Sequence, residues 1–478
     1  MRRNIPRLGA VLVSLGLVLA ACGGTTSSSS TGGEPSGSAG TGEKVTIKWF
    51  CCLGTGDDPI QQPVEKQVVE DFNASHPNIN LELQIVDYDS AYDTMSVQVA
   101  GGNAPDIVGP VGVSGSEGFH GQWLDLTDLI AENNYDLSQF SQGSVEFYNV
   151  GGEGQAGLPF AIYPSMLYYH RDAFEEAGLE EPPHAYGDTY TLDGQEVEWN
   201  MDTMWELAKR LTVDVNNKDA TSPDFDPTKI EQYGYEPTFQ DLRAIGSYYG
   251  AGSLVADDQT TAQLPDAWHD AWVDLYEKTF TDHVIMTEAL RDAAEFGNEN
   301  PFQANRAAMG LTHLWYQCCA SPADADGNII GDPDWDIAVV PSYNGATTAN
   351  FNADTFRIWK DTEHPQEAFE VLTYLLGDAS QDLLGIYGGM PARIADQDAF
   401  FAGLDEKWTQ GVDWQVAIDG VEFADNPNFE AWMPNYQKSF AAIVSELSVL
   451  RTKADLDVEA EIDKFMTKLQ GIFDQAEE

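Results

Sequence analysis

Short apolar strand patterns alternate with helical patterns along the chain after residue 43. Apolar residues fill 45–50, recur at helical spacing over 63–72, alternate with polar residues over 79–86, recur at helical spacing over 92–99 and return at 106–108. This β-α-β-α-β order predicts an α/β fold with a parallel sheet. Parallel sheets hold ligands in the loops beyond the carboxyl ends of their strands. We therefore expect site loops at 51–58 and 109–118, with Asp57 as a candidate ligand-binding residue.

The amino terminus has the pattern of an export signal. Arg2, Arg3 and Arg7 precede an apolar run over 8–21, which ends at a Gly-Gly pair. The run is too short for a membrane-spanning helix, and small residues stand before its end. Residues 1–21 are therefore predicted to be a secretory signal peptide.

Cys22 is the candidate lipid-bearing residue. The sequence Leu19-Ala20-Ala21-Cys22 resembles the lipobox of bacterial lipoproteins, in which the cysteine becomes the first mature residue and carries the lipid. The alternative is an ordinary cleaved signal with an incidental cysteine. The rest of 22–43 is almost entirely Gly, Ser, Thr, Ala, Pro and Glu, a composition typical of a flexible tether. We expect an extracytoplasmic protein anchored to the cell membrane, on the cell surface or the periplasmic side.

The charge of the chain excludes some partners without naming a ligand. Without 1–21 the chain keeps 21 basic and 78 acidic residues, a formal charge of −57. Such a surface repels nucleic acid and anionic lipid. A polyamine would suit it, although acidic solvated surfaces are also common in secreted proteins, which is the interpretation we favour. The 12 Trp, 19 Tyr and 22 Phe offer aromatic faces that stack on sugar rings.

Six blocks of sequence resemble a known family in the same order. They lie at 92–108, 158–183, 302–315, 335–341, 364–368 and 388–392. Characteristic segments are Gly-Gly-Asn-Ala-Pro-Asp-Ile at 101–107, Ala-Ala-Met at 307–309 and Gly-Gly-Met-Pro-Ala at 388–392. Together they resemble the family 1 extracellular solute-binding proteins of ABC importers, the maltose-binding-protein type.

The resemblance implies a two-lobed periplasmic-binding fold of type II. Lobe 1 would comprise 44–160 and about 341–388, and lobe 2 would comprise 161–340 and about 389–478, each with a mainly parallel sheet flanked by helices. The lobes would close about a hinge of crossing strands on a carbohydrate, for which we expect a di- or oligosaccharide. The protein would deliver it to the permease subunits as a monomer, without catalysis.

The resemblance also implies ligand-binding residues, carried over one position at a time. These are Tyr163, Phe239, Gln240, Trp315, Asn352, Asp354, Gly389, Trp432 and Tyr436, with Thr238 in the same segment as Phe239. Two features depart from the family pattern. Residues 184–199 are an insertion that reads as a hairpin on Asp193-Gly194, followed by a helix capped by Asn200. His170 stands where Asn is usual, so no hydrogen bond is carried over to it.

Four cysteines remain, as the adjacent pairs Cys51-Cys52 and Cys318-Cys319. An exported protein is expected to oxidise them. Each pair could close its own strained ring, a flat surface able to act like an aromatic face under a sugar; the pairs could instead bridge to each other, or remain thiols. All four are candidate disulfide and ligand-binding residues.

One acidic loop resembles a metal site only in part. Asp324, Asp326, Asn328 and Asp332 have a calcium-loop spacing, but the expected glycine is Ile329. We interpret this segment as a hairpin turn and expect no metal and no cofactor.

Two alternative functions remain open at this stage. A secreted glycoside hydrolase would use paired carboxylates, which cannot be picked out among so many acidic residues. The sequence contains no Gly-x-Ser-x-Gly, His-Glu-x-x-His or phosphate-loop motif for other chemistry. A polyamine or peptide receptor of the same fold is the alternative within the binding class.

Overall fold

The computed structural model describes residues 44–150, 152–292, 300–322, 329–331, 333–425 and 433–475. The expectations for the signal peptide, Cys22, the tether, the loop holding Asp324 and Trp432 fall outside these residues. All elements below belong to the contact unit Glu43–Glu478.

Strands and helices alternate through the described residues. The strands, β1 to β15 in chain order, are Val45–Phe50, Ile79–Gln84, Ile107–Val111, Asn149–Val150, Gly154–Gln155, Ala161–Tyr163, Ser165–His170, Thr189–Leu192, Gln195–Glu198, Val213–Asp214, Ile230–Gln232, Met309–His313, Trp335–Ala338, Asn352–Ile358 and Met390–Pro391. The α-helices, α1 to α16, are Gln62–Ser75, Tyr88–Ala100, Val113–Glu117, Thr127–Glu132, Gln142–Glu146, Arg171–Ala177, Met201–Leu211, Leu242–Ser247, Asp266–Phe280, Glu288–Arg291, Pro365–Leu376, Ser380–Tyr387, Ile394–Lys407, Gln415–Gly420, Tyr436–Thr452 and Val458–Phe473. Short 3-10 helices are Leu137–Gln139, Leu314–Cys319 and Val421–Phe423.

A six-stranded sheet, here the large sheet, has the order β15-β6-β14-β3-β1-β2. Strand β1 pairs in parallel with β2 and β3, as the short β-α-β connections predict. The pairings of β14 with β3 and β6, and of β15 with β6, are antiparallel. The crossing strands β6, β14 and β15 therefore lie together at one edge.

A three-stranded sheet, here the small sheet, has the order β12-β7-β13. Both of its pairings are antiparallel. The expectation of a mainly parallel sheet in each lobe is thus confirmed only for β1, β2 and β3. It is wrong for the small sheet, because long connections between strands do not impose the direction that a short crossover helix does.

Local sequence accounts for several element boundaries. Helix α1 has Pro63 in its first turn and ends before His76, since a proline fits only the start of a helix. The hairpin of β8 and β9 turns at Asp193 and Gly194, which have φ of 53° and 75°. The Asn200 side chain then accepts a hydrogen bond from the Thr203 amide at 2.9 Å and caps α7. The predicted hairpin and cap are confirmed.

Each sheet has its own hydrophobic core. The large sheet buries Trp49 and Phe356 against helices α1 and α11, and the small sheet buries Tyr168 and Trp335 with most of the aromatic residues after Ser165. Trp315 packs against both cores. It therefore lies at the junction of the two sheets.

Within the described residues, no helix combines the length and apolar character needed to cross a bilayer.

Candidate ligand-binding site

A cavity of about 290 Å³ lies where the start of β14 in the large sheet meets the end of β12 in the small sheet. Four predicted residues line it together: Phe239, Gln240, Trp315 and Asn352. The rest of the lining is Asp241, Arg243, Ala244, His313, Asn350, Phe351, Phe440, Val444 and Leu447. The structure thus brings together residues that are up to 113 positions apart in the predicted set.

Aromatic rings form one wall of this cavity. The rings of Trp315 and Phe239 have centroids 5.5 Å apart, and the His313 ring stacks on Trp315 at 5.7 Å and 19°. Phe239 is 60% exposed and has a left-handed backbone, with φ of 56°. This conformation costs a non-glycine residue about 1–2 kcal/mol, and such strain is concentrated at functional sites.

Polar residues on the paired crossing strands continue the site. Asn352 pairs with Tyr163 in the register of β14 and β6. The Tyr163 hydroxyl donates to Oδ2 of Asp354 at 3.3 Å. Glycines allow close approach here: a Cβ on Gly389 would lie 2.8 Å from the Tyr163 hydroxyl, and one on Gly112 would lie 2.8 Å from Oδ1 of Asp354. The predicted loop at 109–118 therefore reaches the site.

Burial controls the ionisation of this polar group. It raises the pKa of Asp354 to about 6, although the hydrogen bond from Tyr163 acts in the opposite direction. Burial, followed by the charge of Asp354, raises the pKa of Tyr163 well above 10. Tyr163 is thus a neutral donor, and Asp354 changes its charge near pH 6.

A second buried carboxyl lies near the cavity. Burial raises the pKa of Glu117, the last residue of α3, to about 7, and the nearby Arg357 and Arg243 lower it in part. Arg243 lines the cavity from α8. The guanidinium of Arg243 therefore lines the cavity and also lowers the pKa of the Glu117 carboxyl group.

Other predicted residues have structural contacts. Gln240 donates from Nε2 to the Thr312 hydroxyl at 3.1 Å and to the Thr238 carbonyl at 3.3 Å, so its amide is largely used within the protein. Asp57 accepts the Tyr88 amide at 2.9 Å, which fixes its loop to the first residue of α2.

Tyr436 is 93% buried behind the cavity wall. Its ring stacks on Phe440 with centroids 5.8 Å apart, and Phe440 lines the cavity.

His170 contacts the Asp334 carboxylate and the Phe302 carbonyl at 2.8 and 2.9 Å. Both ring nitrogens of His170 are therefore used in contacts within the protein.

The structure pairs each cysteine with its neighbour in sequence as a vicinal disulfide, with a Cα separation of 3.8 Å in both pairs. Cys51 and Cys52 have no exposed surface. The expectation that this pair forms a surface under the ligand is wrong in this structure, because the loop after β1 folds back over the sulfurs. Cys318 is exposed and Cys319 is half-buried.

Sequence reasoning missed Arg243, His313, Asn350 and Phe440. All four lie within two to four positions of a predicted residue, which is the only signal the sequence offered. His313 is 4% exposed, and its Nε2 lies 3.0 Å from Nδ2 of Asn350. Burial lowers the pKa of His313 to about 3, so it is neutral at ordinary pH.

Glu181, His184 and Asp336 place ligand atoms within 4.8 Å of one another. However, Arg171 donates to Oδ2 of Asp336 at 2.5 Å and already supplies the positive charge. Tyr169 also donates to Glu181 at 2.6 Å. We interpret the cluster as an ion-pair network. It connects the start of the insertion at 184–199 to the small sheet.

A larger cavity, of about 1330 Å³, lies elsewhere. Gly178, Asp193, Arg210 and Arg306 are among its lining residues, and no predicted site residue occurs among the described residues that line it. Its lining includes the inserted hairpin rather than the crossing strands.

A cavity with an aromatic wall and a polar wall lies at the junction of the large and small sheets. In an α/β fold, this arrangement is that of a two-lobed ligand-binding protein. The chain belongs to the family of bacterial extracellular solute-binding proteins, which it matches over residues 54–382. The predicted family and the type II periplasmic-binding fold are confirmed.

Relatives and solved structures agree with this assignment. The chain is 22% identical over 326 residues to an uncharacterized lipoprotein in the oleD 5' region of Streptomyces antibioticus, a match that covers 66% of this chain and 64% of that relative. It is similar to an ABC substrate-binding protein from Listeria monocytogenes in complex with cycloalternan, with a TM-score of 0.64, 18% identity and coverage of 90% and 99%. It is also similar to the sugar-binding protein MalE from Xanthomonas citri, with a TM-score of 0.65, 15% identity and coverage of 90% and 97%.

Proposed function

We propose that this chain is the substrate-binding component of an ABC importer, which captures a carbohydrate between two lobes and delivers it to the permease. The observation that carries this proposal is the cavity with Trp315 and Phe239 on one wall and Asn352 on another, next to the Tyr163–Asp354 pair. Aromatic faces suit the apolar faces of sugar rings, while amide and carboxylate groups suit their hydroxyls. The cycloalternan bound by the Listeria monocytogenes protein, and the description of the Xanthomonas citri protein as sugar-binding, support the same class.

Closure of the lobes would report loading. The proposed lobe 1 is 44–160 with about 341–388, and lobe 2 is 161–340 with about 389–478. The crossing strands β6, β14 and β15 would then form the hinge beside the cavity. A ligand that contacts both lobes binds the closed state better than the open one, so it shifts the population toward closure without chemistry.

The size of the cavity favours a short saccharide. Ligand pockets typically measure about 300–1,000 Å³, and this one, at about 290 Å³, lies just below that range. We expect a di- or small oligosaccharide with one ring held against Trp315. A lipid on Cys22 would anchor the protein to the membrane, with the tether at 23–43 keeping it near the importer, and a lipoprotein relative supports this.

The experiment that tests the proposal is the thermal unfolding of the unreduced protein against mono- and oligosaccharides, with a polyamine in the same panel. A ligand at 100 times its Kd stabilises by about 2.7 kcal/mol, a clear rise in Tm. A rise confined to one sugar series that is lost in Trp315→Ala supports the proposal. Stabilisation by the polyamine alone overturns the carbohydrate assignment, and release of product from chromogenic glycosides overturns the absence of catalysis.

A further inference from the structure

The two vicinal cysteine pairs have opposite exposure. Cys51 and Cys52 are completely buried at the end of β1. Cys318 is exposed and Cys319 is half-buried at the end of the 3-10 helix Leu314–Cys319. Two pairs with the same local covalent chemistry therefore differ in their access to a reagent in solution.

The buried pair is covered by its own loop and by a carboxyl group. A Cβ on Gly56 would lie 2.9 Å from the Cys51 sulfur and 2.5 Å from Oε1 of Glu65. Glu65 has no exposed surface and accepts a hydrogen bond from the Tyr387 hydroxyl at 2.6 Å. A thiolate anion that approached these sulfurs would have to displace the loop that covers them, which disfavours the attack.

The exposed pair sits on an anchored segment. Asn300 donates from Nδ2 to the Cys319 carbonyl at 3.1 Å, and the Tyr316 hydroxyl donates to Oδ1 of the same asparagine at 2.7 Å. Gln317 accepts from the Trp408 indole at 2.9 Å. These contacts hold the segment before the pair and the carbonyl of Cys319, so the sulfur–sulfur bond can open without unfolding the segment.

We propose that Cys318–Cys319 is a thiol–disulfide exchange site for small thiols in the extracytoplasmic space, and that Cys51–Cys52 is not. In the first step a thiolate attacks one sulfur of the pair, a mixed disulfide forms, and the other cysteine leaves as a thiolate that takes a proton from water. A second thiolate then attacks the mixed disulfide, releasing the oxidised thiol dimer and the second cysteine thiolate. The pair gains two electrons, which the two small thiols supply.

Access to the sulfurs decides the outcome. Exchange requires the thiolate to approach along the sulfur–sulfur bond, and exposed disulfides are the labile ones in proteins. The proposal does not depend on the identity of the imported ligand, because its readout is a mass change at named cysteines.

The test is peptide mapping of the folded, purified protein with glutathione as the thiol and iodoacetamide as the trap. Without glutathione, no cysteine of the two pairs is expected to be alkylated. With glutathione, alkylation or glutathionylation is expected at Cys318 and Cys319, at a rate roughly ten-fold or more above that at Cys51 and Cys52. The protein unfolded in guanidinium and fully reduced should be alkylated at all four, which shows that every site is competent.

Three outcomes overturn the proposal. Alkylation of Cys318 before any thiol is added would mean free thiols. A non-reduced peptide joining the 51–52 and 318–319 regions would mean bridges between the pairs. Equal rates at the two pairs would mean that exposure does not control exchange.

A variant and a spectroscopic control complete the design. Cys318→Ser with Cys319→Ser should take up no glutathione while folded. Far-UV circular dichroism of wild-type protein before and after glutathione should be unchanged, because reaction through unfolding would expose the buried pair as well.

Discussion

The hydroxyl of Tyr163 donates a hydrogen bond to Oδ2 of Asp354 at 3.3 Å, from the strand next to it in the large sheet. The tyrosine is 95% buried, and the carboxyl group remains at the edge of the candidate site. A buried neutral donor thus orients one carboxylate oxygen, while the other lies beside Gly112. This arrangement has direct consequences for pH dependence.

Ligand affinity is expected to fall as the pH decreases through about 6. Burial raises the pKa of Asp354 to about 6, so the carboxylate that we propose accepts ligand hydroxyls is charged above that pH and protonated below it. Hydrogen bonds to a charged group contribute about 1.5–3 kcal/mol, so Asp354→Asn should weaken sugar binding roughly 10- to 100-fold at pH 7.5.

Isothermal titration between pH 5 and 8 measures this effect. Wild-type affinity should show the step near pH 6, and Asp354→Asn should be flat across it. Tyr163→Phe keeps the carboxyl group and serves as the conservative comparison. A step of the same size in Asp354→Asn would assign the titration to another group.

Removal of the aromatic wall is expected to weaken binding more than it lowers stability. Trp315→Ala should raise the Kd for the stabilising sugar about ten-fold or more, because stacking contributes beyond the area it buries. Trp315 also packs against both cores, so Trp315→Ala could weaken binding through a folding defect. Trp315→Phe, which keeps an aromatic ring in place, should retain most of the affinity and is the control for that defect. Tyr88→Ala, an aromatic residue 55% exposed outside the cavity lining, is the matched control and should bind as wild type.

The sequence predicted the first strands and helices because short crossovers confine their geometry. Periodicity and turn residues located β1, α1 and the inserted hairpin within a few positions. Periodicity carried no information on the direction of β14 or β7, whose partners lie more than 100 residues away in the chain.

The site was predicted only where the family resemblance supplied positions. Trp315 and Asn352 line one cavity, as the resemblance implied, but Arg243 and Phe440 reach it through tertiary packing of α8 and α15, which leaves no local pattern. The burial of Cys51 was missed for a similar reason. A glycine-rich loop after a strand reads as open, whereas here it folds onto the buried Glu65.

The stability of the protein is expected to decrease as the pH rises from about 4.5 to about 7. Burial raises the pKa of both Glu65 and Glu117 to about 7 in the folded protein, from an ordinary value of 4.5. In this window the folded state holds protons that the unfolded state has lost, so the free energy of unfolding falls with pH. Each group accounts for up to about 3 kcal/mol of this change.

Urea unfolding at pH 5 and pH 8 checks the prediction. Glu65→Gln and Glu117→Gln should each reduce the difference in the free energy of unfolding between pH 5 and pH 8. Glu70→Gln, an exposed residue on the same helix as Glu65, should leave it unchanged. If the free energy of unfolding changed equally with pH in all three variants, the assignment of this change to Glu65 and Glu117 would be contradicted.

The buried ion pair between Arg451 and Glu236 is expected to be one of the most sensitive points of the fold. Arg451 donates to both carboxylate oxygens of Glu236 at 2.8 and 3.0 Å and to the Met286 carbonyl at 2.8 Å, and both side chains are at most 2% exposed. Removing one partner leaves the other charge buried, which costs about 3–5 kcal/mol. Arg451→Met should therefore lower the free energy of unfolding by that amount in urea titrations, and Glu236→Gln should lower it by less, because Nη1 of Arg451 still lies 3.5 Å from Oε2 of Glu288.

The double variant distinguishes the destabilisation caused by an unpaired buried charge from the net stabilisation that the ion pair provides. Arg451→Met with Glu236→Gln removes both charges, so it should be less destabilised than the sum of the single variants, since the coupled residues share one interaction. Lys464→Met breaks a surface pair with Glu461, in which the lysine is 69% exposed, and should change stability by less than about 1 kcal/mol. If Arg451→Met were as mild as Lys464→Met, water would have to reach the Glu236 carboxylate, and the packing of α15 against α8 and α10 would have to be looser than this structure shows.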